Sequence, residues 1–497
     1  MAGMTEGSQP PPAAPAVSDP DSFDLVVLGA GSGGYACALR AAQLGQRVAL
    51  VEKDLVGGTC LHRGCIPTKA ILHAAEVADV ARDGEQFGIH ATVERIDPVQ
   101  VLAYSDSVVS RLYKGLTGLI ASPKLAGAPA IEVVQGTGRL ERCGDALTVR
   151  VGERALSAPD VVLASGSYAR TLPGIEINGT SIITSDHALR MDHLPGKAIV
   201  LGGGVVGVEL ASAWRSFGVD ITIIEALPRL VPNEDPALST ALERAFRRRK
   251  IDIRTGWPVS SVSTDGTAVS VTLTNRDSGG NENSEQLRGD VLLVAVGRGP
   301  STDRLGFAEA GVTLDRGFVV TDERLRTSVP GVWAVGDIVP GLQLAHRGFG
   351  HGIFVAEEIA HAAGRYHPAP VPIVDAFVPR VTYSQPEIAS VGLTEVQARE
   401  TYGEVETLTY DLGGNGKSQI LKTQGFVKLV RAPQGAVVGV HMIGARVGEL
   451  VGEAQLITGW DAFPSDVAGL VHAHPTQNEA LGEAHLALAG KPLHSHG

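Results

Sequence analysis

The sequence predicts an α/β protein in which one strand, glycine turn, helix, strand unit occurs twice and an α+β unit follows. Three observations carry this prediction. Residues 23–28 form a short apolar run that meets Gly29-Ala30-Gly31-Ser32-Gly33-Gly34, an Ala-rich helical stretch to about Gly45, and a second strand at 47–51 ending in Glu52. The same order returns in 198–201, Gly202-Gly203-Gly204-Val205-Val206-Gly207, an apolar helix through Phe217, and 220–225, and the interval from first glycine to acid is 52 − 29 = 23 in one copy and 225 − 202 = 23 in the other. From about Pro372 strands and helices continue with no glycine motif.

The remaining elements follow in chain order. Residues 1–21, rich in Pro, Ala and Ser and free of Lys and Arg, read as a disordered leader and lack the apolar core of a signal peptide and the Arg-rich character of a transit peptide. A first domain over 22–167 adds strands at 131–134, 146–151 and 161–164 and closes at Ala164-Ser165-Gly166-Ser167. A second over 168–297 contains strand-like alternation at 259–273, a polar loop at 275–286 and a buried strand at 291–298 that runs into Gly297-Arg298. Residues 298–371 return to the first domain through a strand ending in Gly336-Asp337 and a helix from about Gly348 to Ala363. The last domain, 372–497, carries strands at 427–430 and 436–443, helices from Val447 and Phe463, and a helix to Ala489.

Length and charge bound the function. A chain of 497 residues holds about three domains. The balance 42 − 54 = −12, with no basic block, argues against nucleic acid as the main partner, since phosphate binding needs clustered cations. No uninterrupted apolar stretch reaches membrane length, and four cysteines in such a length is a reducing-compartment pattern, so a cytoplasmic location is expected.

Glycines at 29, 31 and 34, and again at 202, 204 and 207, let the backbone approach a pyrophosphate, while Glu52 and Glu225 stand where an acid takes ribose hydroxyls. The equal spacing argues for two Rossmann-like dinucleotide-binding domains. Glu225 would repel a 2′-phosphate and so favours NAD over NADP, although Arg229 lies nearby.

Between the two units lies Gly57-Gly58-Thr59-Cys60-Leu61-His62-Arg63-Gly64-Cys65-Ile66-Pro67-Thr68-Lys69. Pro67 suits a first helical turn, which places both cysteines at a positive helix end, where thiol pKa values of ~3.5–7.5 replace the usual ~8.5. A buried pair of small residues and two zinc ligands are the competing readings, but for zinc only Cys37 and Cys143 remain and neither sits in a CxxC, so no metal site is expected. A redox-active dithiol is favoured. FAD, which can exchange electrons with sulfur, fits the adjoining first unit.

A dithiol reductase also needs a base. His474 is the candidate, with Glu479 as its orienting partner, yet Thr476-Gln477-Asn478-Glu479 equally fits a helix capping box. His472 has only proximity in its favour. Lys69 follows Cys65 by one helical turn and could pair with Glu209, and Asp337 reads either as a turn residue or as a carboxylate for a flavin's ribityl chain.

Assembled, these stretches resemble the flavin disulfide reductases, and within them the dihydrolipoamide dehydrogenases, from about Phe23 to the C-terminus. The carriers are the Gly-Gly-Thr-Cys-x4-Cys-Ile-Pro-Thr-Lys run, both glycine motifs, Ala295-Val296-Gly297-Arg298, Gly336-Asp337 and His474-Pro475-Thr476-x2-Glu479. The resemblance implies that Cys60 exchanges with lipoamide, that Cys65 contacts the flavin, that Lys69 and Glu209 pair beside it, and that His474 with Glu479 reaches the cysteines of the other subunit of a homodimer. It places Ser165, Gly166, Asp337 and Ala345 around FAD, Gly297 with NAD, and makes 372–497 a dimerisation domain. Implied partners are lipoyl domains of 2-oxoacid dehydrogenase complexes or the glycine cleavage carrier protein. His351, where relatives commonly have an acid, and Ser165, for a usual Thr, depart from the pattern. Glutathione-reductase-like and mercuric-reductase-like enzymes and a non-catalytic redox-sensing flavoprotein are the rival readings.

Overall fold

A computed structural model describes residues 20–122, 131–144, 146–276 and 281–494. Two parallel five-stranded sheets share the order of four strands, and the fifth, at one edge, comes last in the chain in the first sheet and first in the second. In the first, Val332–Ala334, Asp160–Leu163, Leu25–Leu28, Val48–Glu52 and Glu132–Gln135 lie side by side; in the second, the order runs Ile182–Thr184, Val291–Val294, Lys197–Leu201, Asp220–Glu225 and Asp252–Thr255. Each glycine turn therefore leaves the carboxyl end of a central strand flanked on one side by the next strand of its unit and on the other by a much later one, the switch point where parallel sheets bind ligands. Leu25, Val26, Val27, Ile199 and Val200 are fully buried, as strands covered on both faces require.

Each sheet carries a three-stranded antiparallel flap, Gly138–Cys143, Ala146–Val151 and Arg154–Ser157 on the first, Val259–Thr264, Val269–Arg276 and Glu282–Gly289 on the second. The third strand of the second flap corrects the expected loop at 275–286. Glu282–Gly289 is mostly exposed, so its polar side chains carry no hydrophobic alternation, and main-chain pairing to Val269–Arg276 makes the strand instead. Ser167–Ala169 pairs antiparallel with Arg298–Pro300, joining the two nucleotide-type units where the chain leaves one and returns from the other.

A five-stranded antiparallel sheet, Arg380–Thr382, Glu387–Gly392, Val437–Gly444, Phe426–Arg431 and Glu406–Asp411, forms the C-terminal unit with helices Val447–Gly459 and Glu479–Leu488. Residues 1–19 of the expected leader lie outside the described residues. Its last two are already docked: Pro20 O accepts from Arg47 Nη2 at 2.9 Å, and Asp21 pairs with Arg154 at 2.6 Å. No described helix is long and apolar enough to cross a membrane.

Candidate active site

The two glycine turns are built alike, atom for atom. Gly29 and Gly202 have φ of +108° and +115°, and a Cβ on either would run into the carbonyl of Ala164 or Ala295 on the neighbouring strand. A Cβ on Gly34 or Gly207 would strike the carbonyl of Gly29 or Gly202, so the third glycine lets the helix sit against the turn. Gly31 and Gly204, by contrast, have nothing within 4 Å of a Cβ: the middle glycine faces open space where a pyrophosphate can approach. Both turns fit a dinucleotide. The acids also match. Glu52 accepts from Ala30 N at 2.7 Å and Asp54 N at 2.8 Å, and Glu225 from Gly203 N at 2.7 Å and Leu227 N at 2.8 Å. Each carboxylate thus pins its own turn, a task the sequence reading did not foresee.

Around the first turn, the Ser165 hydroxyl is buried without a protein partner, an orphan that a bound ligand can satisfy. Gly166 (φ +73°) and Gly297 (φ +108°) have open space beside them, and Ala345 opens the helix Ala345–Ala362, three residues earlier than expected. Asp337 accepts from the Ser167 hydroxyl, which in turn accepts from Arg298 Nε at 2.7 Å. That chain ties the carboxylate to the strand pair between the two units. Gly336 N donates to Nδ1 of His351 at 3.4 Å; burial, then Arg347, push this imidazole down to about 4, so it is neutral and an acceptor.

The cysteines do not share one helix. Cys60 lies inside a short helix, Gly58–Arg63, and Cys65 opens the long helix Cys65–Arg82 after a break at Gly64. Both thiols are free, and they hydrogen-bond to each other. The expectation that both favour thiolate is corrected accordingly. Cys65 is pulled down to about 7, first by the hydrogen bond from Cys60 and then, against burial, by Lys69. Cys60 is pushed well above its ordinary value by that same bond and by burial.

Lys69 and Glu209 do pair, with Nζ 3.0 and 2.8 Å from the two carboxylate oxygens. Burial works against the ammonium, but Glu209, itself 2% exposed, outweighs it. Glu209 Oε1 also accepts from Tyr383 N at 2.9 Å.

In the C-terminal unit His474 Nδ1 and Glu479 Oε1 are 2.8 Å apart, while Glu479 Oε2 accepts from Thr476 N at 2.8 Å and Glu479 N donates to the Thr476 hydroxyl. Cap and imidazole partner, weighed as alternatives in the sequence, are both present, one carboxylate oxygen each. His472 is held by Glu453 at 2.8 Å, and Glu453 also receives Asn478 Nδ2, so this histidine anchors the loop from behind. The His474 side chain is 73% exposed, and among the described residues no hydrogen bond or ion pair joins it to either cysteine. The dithiol and the imidazole are not brought together within one chain.

Residues 23–352 match the family model for pyridine nucleotide-disulphide oxidoreductases, and residues 378–485 that family's dimerisation domain. The chain belongs to this family. Curated relatives of the pyridine nucleotide-disulphide oxidoreductase include proteins named dihydrolipoyl dehydrogenase from Bacillus subtilis (37% identical, covering 95% of this chain and 99% of that one) and Zymomonas mobilis (36%, 95% and 99%), and a mitochondrial one from Pisum sativum (33%, 96% and 93%). Among solved structures, LpdA from Mycobacterium tuberculosis matches with TM-score 0.83 at 25% identity over 93% of this chain and 99% of that one. The HOCl-induced flavoprotein disulfide reductase RclA from Escherichia coli matches with TM-score 0.79 at 26% identity over 94% of this chain and 99% of that one. Within the family frame, the residues missed by sequence reasoning are Ser167, Tyr383 and Glu453. Each acts on a partner 19 or more residues away by way of tertiary packing, and no local pattern marks it.

Proposed function

We propose that the protein is an NAD-dependent dihydrolipoyl dehydrogenase, oxidising protein-bound dihydrolipoamide to lipoamide through Cys60 and Cys65. The observation that carries this is the pair of free thiols Cys60 and Cys65 with the Lys69 ammonium, held by Glu209, one helical turn beyond Cys65 and drawing its pKa down. The reduced pair is the product of the sulfur half-reaction. With the pair oxidised, a substrate thiolate attacks Cys60 Sγ while the partner subunit's imidazole takes the thiol proton, and Cys65 leaves as thiolate; a low thiol pKa makes it the better leaving group. The second substrate sulfur then attacks the first, closing the lipoyl disulfide and releasing Cys60, which keeps a proton. Two substrate S–H bonds become one S–S bond, with one proton retained on Cys60 and one passed out through His474.

FAD would lie on the first glycine turn, with Asp337, Ser165 and Lys69 about it, and NAD on the second with Glu225 at the ribose; together they supply an acceptor for the dithiol's electron pair and its onward delivery as hydride. His474 serves as base because Glu479 fixes its Nδ1 and leaves Nε2 for the substrate. Exposure of Val471 (99%) and Leu470 (62%) just before the histidine loop supports a second copy seated there, giving a homodimer whose sites are completed across the interface. The partners are lipoyl domains of 2-oxoacid dehydrogenase complexes or the glycine cleavage carrier protein, in the cytoplasm.

The test offers the FAD-loaded protein NADH or NADPH against oxidised lipoamide and glutathione disulfide. Turnover is expected with NADH and lipoamide. Preference for NADPH with glutathione disulfide would overturn the substrate reading, and background rates with every pair would leave the mercuric-reductase-like enzyme and the redox-sensing flavoprotein.

A further inference from the structure

Lys69, Glu209 and Tyr383 come from three parts of the chain. Lys69 sits on the helix after the first glycine unit, Glu209 on the helix Val205–Ser216 of the second, and Tyr383 on the segment following Arg380–Thr382 in the C-terminal sheet. The Lys69 ammonium stands over the Tyr383 ring, 4.7 Å from its centre, while the main-chain N–H of the same tyrosine donates to Glu209 Oε1 at 2.9 Å. One residue thus touches both members of the ion pair. A lysine on a flexible four-carbon stem has an alternative to the position in which it reaches its carboxylate partner. The aromatic face closes that alternative, because a cation over a ring is attracted by the ring's quadrupole.

We propose that Tyr383 is a positioning residue for the dithiol: its ring face and its main-chain N–H hold the Lys69–Glu209 pair in place and keep the cation one helical turn from Cys65. The inference rests on the reading of Cys65 as the flavin-facing thiol. It assigns to the C-terminal unit a second contribution to the sulfur chemistry, independent of His474 and made to the dithiol of its own chain. The titratable groups around the Cys65 thiol are Lys69, Glu209 and Cys60; those around the tyrosine are Lys69, Glu209, Glu387 and Glu449. Lys69 is the only one of these that draws Cys65 down by its positive charge, so its position is what the ring controls.

The experiment titrates the long-wavelength absorbance that a thiolate produces against oxidised flavin, using FAD-loaded protein reduced by one equivalent of dihydrolipoamide. Tyr383→Leu should raise the apparent thiolate pKa by about 0.5–1 unit, a roughly three- to tenfold loss of thiolate at a fixed pH below the midpoint, whereas Tyr383→Phe should titrate as wild type. The main-chain N–H is kept in all variants, and Tyr383→Met is a second ring-less variant should the leucine protein fail to fold. In a Lys69→Met background, Tyr383→Leu should add no shift. An unshifted Tyr383→Leu, a Phe variant that shifts equally, or a leucine effect that persists without Lys69 would each overturn the proposal. Absence of the absorbance in wild-type protein would overturn the disulfide-reductase reading itself and this inference with it.

Discussion

His351 gives the protein a built-in sensitivity to acid whose size follows from its surroundings. The imidazole is 3% exposed, accepts from Gly336 N and is held down to about 4 by burial and Arg347, while in the unfolded chain it titrates at its ordinary 6.5. Between those values the unfolded state binds a proton that the folded state refuses. Stability from this group is therefore intact above pH 6.5, declines as pH falls, and levels off below about 4. A difference of 6.5 − 4 = 2.5 units corresponds to about 3 kcal/mol in full, of which about 2 kcal/mol has gone at pH 5. His351→Gln keeps an acceptor for Gly336 N–H but cannot titrate. Urea unfolding of both proteins with FAD in excess, at pH 8 and pH 5, isolates the effect as a difference of differences, free of any cost the substitution has at pH 8. The variant should gain about 2 kcal/mol on wild type between the two conditions. An equal loss in both proteins would show that His351 is not held neutral, and would refute the reasoning.

Two further outcomes are expected. His474→Gln should lower lipoamide turnover by about 10²–10⁴-fold, the usual worth of a positioned base, with FAD content and dimer unchanged; a variant that lost only thermal stability would leave the cap as the histidine loop's whole purpose. Gly34→Ala and Gly207→Ala should separate the two cradles, because each new Cβ meets a main-chain carbonyl that cannot yield. The first should purify without flavin, and the second should keep flavin but bind NADH about tenfold or more weakly, so loss of flavin from the second protein would reverse the assignment.

What the sequence made legible was local. A glycine turn, its helix and its acid lie within two dozen residues, so both cradles and the dithiol could be read from spacing. The exposed strand Glu282–Gly289 escaped because main-chain pairing, not side-chain alternation, creates it. The opposite shifts of Cys60 and Cys65 escaped because the two lie on different helices and act on each other directly, which spacing does not show. Glu479 resisted a choice between cap and imidazole partner because a carboxylate has two oxygens and the fold uses both. Tyr383 lies 314 residues from Lys69 in sequence (383 − 69 = 314), and only the packing of the C-terminal sheet against the helices brings them together.

The way Glu225 is held bears on how cofactor choice in such a protein can be redesigned. Reversing a preference for NAD is ordinarily approached by deleting the acid at the end of the second strand and adding a cation for the extra phosphate. Here that acid is also the clip that closes the turn, holding Gly203 N and Leu227 N at once. A short neutral replacement strands two amide donors, at about 1–3 kcal/mol for each that finds no water, and loosens the loop on which either nucleotide must lie. Redesign at this position therefore calls for both amides to keep an acceptor, glutamine for the nearer one and a rebuilt 226–229 segment for the other, before any phosphate-binding cation is introduced.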